Sequence, residues 1–129
     1  MKPRFSIVAL SATSQNDRVL SIANQCIEVL SNIGIKVLID KNLSKLKSKD
    51  LLVSSRENII SKANLLIAIG GDGTILNCSR MYGSKGVPLL GINLGKLGFL
   101  SDIAPNDVTT SLLEVITVSY THLTLPTKA

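Results

Sequence analysis

The segment Asn64-Leu65-Leu66-Ile67-Ala68-Ile69 leads directly into Gly70-Gly71-Asp72-Gly73-Thr74-Ile75-Leu76. Its first part is almost wholly aliphatic, the pattern of a strand buried on both faces of a parallel sheet. Gly73 to Met81 then reads as a helix, so the glycines lie where a strand hands over to a helix. Working outward, the alternation repeats. Phe5 to Leu10 is a first aliphatic strand, and Ser11 to Asn16 a polar turn. From Asp17, read as an N-cap, apolar residues recur at helical spacing through Leu20, Ala23, Ile27, Leu30 and Ile33, and Gly34 is placed to end the helix. Ile35 to Ile39 gives a second strand, Leu51 to Ala63 one helix, and Val87 to Ile92 a fourth strand. Pro105 opens a last helix with Val108, Leu112, Leu113 and Ile116 on its apolar side. Strands alternating with helices imply right-handed crossovers and an α/β fold, an open, mostly parallel sheet flanked by helices. Such sheets bind ligands beyond the carboxyl ends of their strands, which directs attention to the turns after the third and fourth strands.

Size and composition fit that fold. A chain of 129 residues suffices for one domain with a core, and with aromatic residues at 3% that core must be built of Ile, Leu and Val. No apolar stretch approaches the roughly 18–20 residues that span a bilayer. The polar stretch Ser11 to Arg18 interrupts the amino-terminal apolar run too soon for a secretory signal, so a cytoplasmic protein without membrane contact is expected. Cys26 and Cys78 lack metal-ligand spacing and fall on apolar helix faces, as small buried hydrophobes do; no metal ligand is named. His122 stands alone in the tail. The net charge of +5 is concentrated at Lys41, Lys45, Lys47 and Lys49. No aromatic residues are interleaved with these lysines, so no nucleic-acid partner is expected. They read as a solvated loop, or as a local positive potential that attracts polyanions such as ATP.

In Gly70-Gly71-Asp72-Gly73-Thr74 the glycines remove side chains where backbone must turn sharply and approach a ligand closely. The following helix points free N–H groups and its positive dipole end into the turn, which suits phosphate or ribose oxygens. Asp72 is the anomaly, because a carboxylate repels phosphate. It reads either as an N-cap of that helix or as a group with chemical work: metal partner, hydroxyl acceptor or base. The turn is neither a Walker loop nor Gly-x-Gly-x-x-Gly, since Gly95-Lys96 is followed by Leu97 and Leu76 takes the third glycine's place. The second turn runs Gly91-Ile92-Asn93-Leu94-Gly95-Lys96-Leu97-Gly98-Phe99-Leu100-Ser101-Asp102. Phe99 reads either as a stacking surface for adenine or as a loop anchor beneath the last helix.

Gly70-Gly71-Asp72-Gly73-Thr74-Ile75-Leu76 resembles the signature shared by NAD kinases, lipid kinases of the diacylglycerol and sphingosine type, and more distantly 6-phosphofructokinases. Gly91-Ile92-Asn93 through Leu97-Gly98-Phe99-Leu100-Ser101-Asp102 resembles the NAD kinase pattern specifically; the Pro-Leu-Gly-Thr-Gly-Asn type segment of lipid kinases is missing. The resemblance spans Phe5 to Ile116 and implies a Rossmann-like amino-terminal domain. It implies transfer of the γ-phosphoryl of ATP, or in some members of polyphosphate, to the 2′-hydroxyl of the adenosine ribose of NAD, with a divalent metal, usually Mg²⁺. Asp72 would be the catalytic proton acceptor and contact NAD, Gly73 would contact NAD beside it, and Phe99 would lie against the adenine. An aspartate side chain ordinarily titrates at about 4, too weak a base to remove a ribose proton beforehand. It can orient the hydroxyl and take the proton late, as the new bond forms.

The resemblance also implies a second, β-rich domain carrying an Asn-Glu/Asp motif, with the site between domains, and homo-oligomers built through it. No such domain is read in these residues. Residues 1–116 read as the α/β nucleotide-binding domain. Residues 117–129 (Thr-Val-Ser-Tyr-Thr-His-Leu-Thr-Leu-Pro-Thr-Lys-Ala) are unlike the family's bridge, and read as a truncation or frame junction. The expectation is the amino-terminal part of an NAD kinase. The alternatives are a non-catalytic nucleotide-binding or inert fragment and, third, a lipid kinase.

Overall fold

Aliphatic runs become strands, and the amphipathic segments between them helices, over the residues that the computed structural model describes: 6–46, 51–95 and 104–117. The strands are β1 (Ile7–Ala12), β2 (Lys36–Ile39), β3 (Leu51–Val53), β4 (Leu65–Gly70) and β5 (Leu89–Asn93). They form one sheet in the order β3-β2-β1-β4-β5, and every pairing among the described residues is parallel. From β1 the chain winds one way through β2 to β3, then returns to β1's other side with β4 and continues outward to β5. The carboxyl ends of β1 and β4 therefore flank the point where the winding reverses, the crevice that such sheets leave open for ligands.

Four helices cover the faces: α1 (Asp17–Asn32), α2 (Arg56–Lys62), α3 (Asp72–Met81) and α4 (Val108–Thr117). Alternation along the strands divides the core in two. Val8, Leu10, Val37, Ile39, Ile67, Ile69 and Ile92 face α1 and α4, while Ala9, Leu38, Leu66 and Ala68 face Ile59 of α2 and Ile75 and Cys78 of α3. The central strands are buried on both sides, which explains their unbroken aliphatic sequence. Cys26 and Cys78 are free, buried thiols in these layers, as expected of small hydrophobes. Burial pushes the Cys26 thiol up to about 12 and raises Cys78 as well. No helix among the described residues is long and apolar enough to cross a membrane.

Several details differ from the sequence reading. Leu51 to Ala63 holds a strand as well as a helix; β3 is three residues on the sheet edge, with Leu52 and Val53 exposed, and so short a segment leaves no periodicity. Asn16, not Asp17, caps α1: its side chain accepts the Val19 N–H at 2.9 Å. Ser11 is a buried residue of β1, not part of the turn, since the strand continues to Ala12. Pro105 starts a 3₁₀ turn, Pro105–Asp107, that precedes α4. Leu113 is 37% exposed because the buried stripe repeats every four residues, through Val108, Leu112 and Ile116. Gly34 ends α1 as anticipated. With φ of 81° it donates to the Ser31 carbonyl, and the Ile35 N–H reaches back to Leu30, a Schellman closure.

Candidate functional site

The site grows from the junction of β4 and α3. Gly70 is the last residue of β4, and Gly71 is the N-cap of α3 without any side-chain cap. Gly70 has φ of 158°, and a Cβ there would lie 2.7 Å from both Cβ and Oγ1 of Thr74. The strand can therefore hand over to the helix this tightly only with a hydrogen in that place. Gly71 and Gly73 differ, because a Cβ on either would meet no atom within 4 Å. The chain's own packing asks for glycine at Gly70; at the other two positions the space lies open above the turn.

Asp72 occupies the first helical position of α3, one residue after the cap, so the capping alternative does not describe it. Its side chain is exposed rather than withdrawn into the core. Asn93, the final residue of β5 and paired in register with Gly70, donates from Nδ2 to Asp72 Oδ1 at 2.6 Å. Asn93 Oδ1 accepts the Gly95 N–H at 2.9 Å, and the Leu94 N–H extends the strand pairing to the Gly70 carbonyl at 2.9 Å. The amide orientation follows from chemistry: with its oxygen on an N–H donor, only its NH₂ can face a carboxylate. A carboxylate at a helix amino terminus also lies favourably in the field of the α3 backbone.

Beside this turn, a cleft of about 410 Å³ opens at the ends of β1 and β4. Thr13, Arg18, Gly70, Gly71, Thr74 and Gly95 are among the residues lining it. The Thr13 and Thr74 hydroxyls are 2.7 Å apart and tie the β1 exit to the first turn of α3. Arg18, exposed on α1, donates from Nη1 to the Leu94 carbonyl at 3.1 Å, so a fixed cation borders the cleft. A second cleft of about 470 Å³ lies over the ends of β1, β2 and β3 and shares Thr13 with the first. Its half-buried carboxylate, Asp40, accepts the Ser11 hydroxyl and, at 2.9 Å, the Asn42 N–H. Burial raises the Asp40 carboxyl above its ordinary range, and those hydrogen bonds pull it only part of the way back.

Of the residues singled out from sequence, the structure places Gly70, Gly71, Asp72, Gly73 and Thr74 on one turn at the expected edge of the sheet. Phe99 lies outside the described residues, with the rest of the loop from Lys96 to Asp102, the lysines Lys47 and Lys49, and the tail that holds His122. Lys41 and Lys45 are exposed, but Leu43 and Leu46 between and beyond them are buried, so the segment is anchored as well as solvated. Thr13, Arg18, Asp40 and Asn93 were assigned no part from sequence. The β1 exit has no glycine to mark it, although the rule about strand ends points to it equally. Asn93 carries a sequence signal of its own, a lone polar residue closing an aliphatic strand.

Residues 7–120 match the family model of the ATP-NAD kinase N-terminal domain. The chain is 34% identical over 118 residues to an NAD kinase of Saccharophagus degradans, covering 91% of this chain and 40% of that protein. It is 38% identical over 128 residues to an NAD kinase of an Azoarcus species, covering 95% of this chain and 42% of that protein. This chain thus spans about two fifths of the length of the curated relatives it matches. Among solved structures, yeast NADH kinase complexed with NADH superimposes with a TM-score of 0.67 at 22% identity, over 86% of this chain and 36% of that one. At that identity the likeness speaks for the fold.

Proposed function

Since this chain belongs to the ATP-NAD kinase family through its amino-terminal domain, we propose that it contributes the proton-accepting half of an NAD kinase active site. The reaction moves the γ-phosphoryl group of ATP onto the 2′-hydroxyl of the adenosine ribose of NAD, giving ADP and NADP. One observation carries the reading: the Asp72 carboxylate is exposed at the mouth of the β4–α3 turn and held by a strand residue instead of by its own helix. Open space above Gly71 and Gly73 lets a dinucleotide approach the backbone there. Phe99 is proposed to lie against the adenine.

Asp72 orients the 2′-hydroxyl and receives its proton as the oxygen–phosphorus bond forms and the bond to the ADP oxygen breaks. Phosphoryl transfer has a loose transition state, so positioning and charge neutralisation contribute more than base strength. The Arg18 guanidinium and the amino end of α3 supply positive potential beside the transferring group. Among the described residues no group of three or more His, Cys, Asp or Glu side chains converges. Mg²⁺ keeps waters and binds mainly through substrate phosphates with one or two carboxylates; Asp72 is the carboxylate proposed to face it. When bound, the metal neutralises charge on the phosphoryl oxygens. ATP is the proposed donor, with polyphosphate as the other candidate. The two buried thiols suit a reducing compartment, and the cytoplasm is proposed. Homo-oligomers of the full-length enzyme are proposed as well.

The test is Asp72→Ala in the full-length chain that carries these residues, followed by coupled detection of NADP. Turnover should fall by roughly 10²–10⁴-fold with an intact melting transition and a smaller change in NAD binding. Near-normal turnover would remove Asp72 from the chemistry and the reading with it.

A further inference from the structure

Asn93 ends β5 fully buried, at a position where an aliphatic residue would continue the strand and cost no desolvation. Its amide is used at both ends, taking the Gly95 N–H at 2.9 Å and giving a hydrogen to Asp72 Oδ1 at 2.6 Å. Its backbone is fixed by the sheet, because Asn93 pairs with Gly70 and the next N–H reaches the Gly70 carbonyl at 2.9 Å. Asp72 itself sits in the first turn of α3, where aspartate side chains readily fold back onto free backbone N–H groups. The two side chains meet across a gap that only the tertiary fold closes.

We propose that Asn93 is a positioning residue: its amide draws the Asp72 carboxylate away from the α3 backbone and aims it, from a rigid strand, at the ribose hydroxyl. The proposal rests on Asp72 being the proton acceptor. Asn93 lies buried behind the carboxylate and acts on the reaction through Asp72. A carboxylate released from this contact turns toward its own helix, and a displacement of about 1 Å in a reacting group can cost on the order of 100-fold in rate.

The experiment is a double-mutant cycle in the full-length chain with Asn93→Ser, Asp72→Ala and the pair. NADP is amplified by enzymatic cycling so that the slowest variant stays measurable, and melting is followed in parallel. Asn93→Ser should lower kcat by about 10- to 100-fold and leave the KM for NAD within about threefold. In the Asp72→Ala background the same change should cost no more than about twofold, because its target is gone. Multiplying losses in the double variant, or an Asn93→Ser kcat near wild type, overturns the positioning role while leaving Asp72 in place. Near-normal turnover of Asp72→Ala instead overturns the functional reading beneath it. Should Asn93→Ser fail to fold, Asn93→Leu, of similar size, replaces it in the cycle. That variant has no amide hydrogen to give to Asp72, and the same outcomes decide.

Discussion

Replacing Gly70 by alanine should be disproportionately damaging, and the structure gives both the size and the cause. The added Cβ would stand 2.7 Å from Thr74 Cβ and Oγ1 and 2.9 Å from Cγ2. Carbon atoms rest about 3.5–4.0 Å apart, so roughly 1 Å must be found. The first of those atoms is bonded directly to the α3 backbone, so no rotation of Thr74 moves it. Either the first turn of α3 shifts or the strand end does. Overpacking of this kind costs about 1–3 kcal/mol. The φ of 158° adds strain for any side chain, of the order of 1–3 kcal/mol for a poorly populated backbone conformation. Against a total stability of roughly 5–15 kcal/mol for a domain, urea unfolding should record a loss of about 2–5 kcal/mol. The displaced turn also carries Asp72 from Asn93, so turnover in the full-length enzyme should drop about 100-fold even where the chain remains folded. The second variants sharpen the prediction. Adding Thr74→Ala removes Oγ1 and Cγ2 but leaves the Cβ contact, and should restore only part of the loss. Adding Thr74→Gly removes all three contacts and should restore more, less about 1 kcal/mol for glycine in a helix. Wild-type stability in Gly70→Ala, or complete rescue by Thr74→Ala, would refute the steric reasoning.

Two further predictions concern titration. The Asp40 carboxyl titrates in the native chain above its ordinary value of 3.8 because of burial, so the native state holds that proton more tightly than the unfolded chain. Its contribution favours folding below 3.8 and is lost as pH rises through the native value. Asp40→Asn, which retains an oxygen for the Asn42 N–H and an NH₂ for the Ser11 hydroxyl, should therefore melt higher than wild type near neutral pH, with the advantage vanishing in acid. A variant that melts lower at neutral pH would show that the ionised carboxylate is stabilising. Cys26, pushed up to about 12, and Cys78, also raised, should resist alkylation in the native chain at mildly alkaline pH and react fully in denaturant, as read by mass spectrometry. Labelling of either native thiol at the rate of an unstructured peptide would contradict their burial.

Much of this architecture was legible in the linear sequence because its signals are local. Aliphatic runs separated by helical spacing specify an α/β alternation, and a parallel sheet buried on both faces needs such runs wherever it occurs. Gly34 ending α1 and the strand–turn–helix passage through Gly70 to Thr74 were readable for the same reason, since backbone geometry at one residue limits the residue that fits. Edges and caps were less legible. β3 has too few residues to show a period, and Asn16 and Asp17 are both good caps, separated only by where the first helical turn closes.

The sequence by itself determined every element but the short edge strand β3, their order and the carboxylate beside a glycine turn, because each depends on neighbours a few positions away. Which strand lies beside which was decided by tertiary packing, and with it the meeting of residues far apart in the chain: Asn93 with Asp72, Thr13 with Thr74, Arg18 with the Leu94 carbonyl, Ser11 with Asp40. Whether Asp72 capped its helix or faced outward was likewise not in the local code. Aspartate near a helix start satisfies both descriptions; the fold selects between them by placing the cap at Gly71 and bringing the Asn93 amide to the carboxylate.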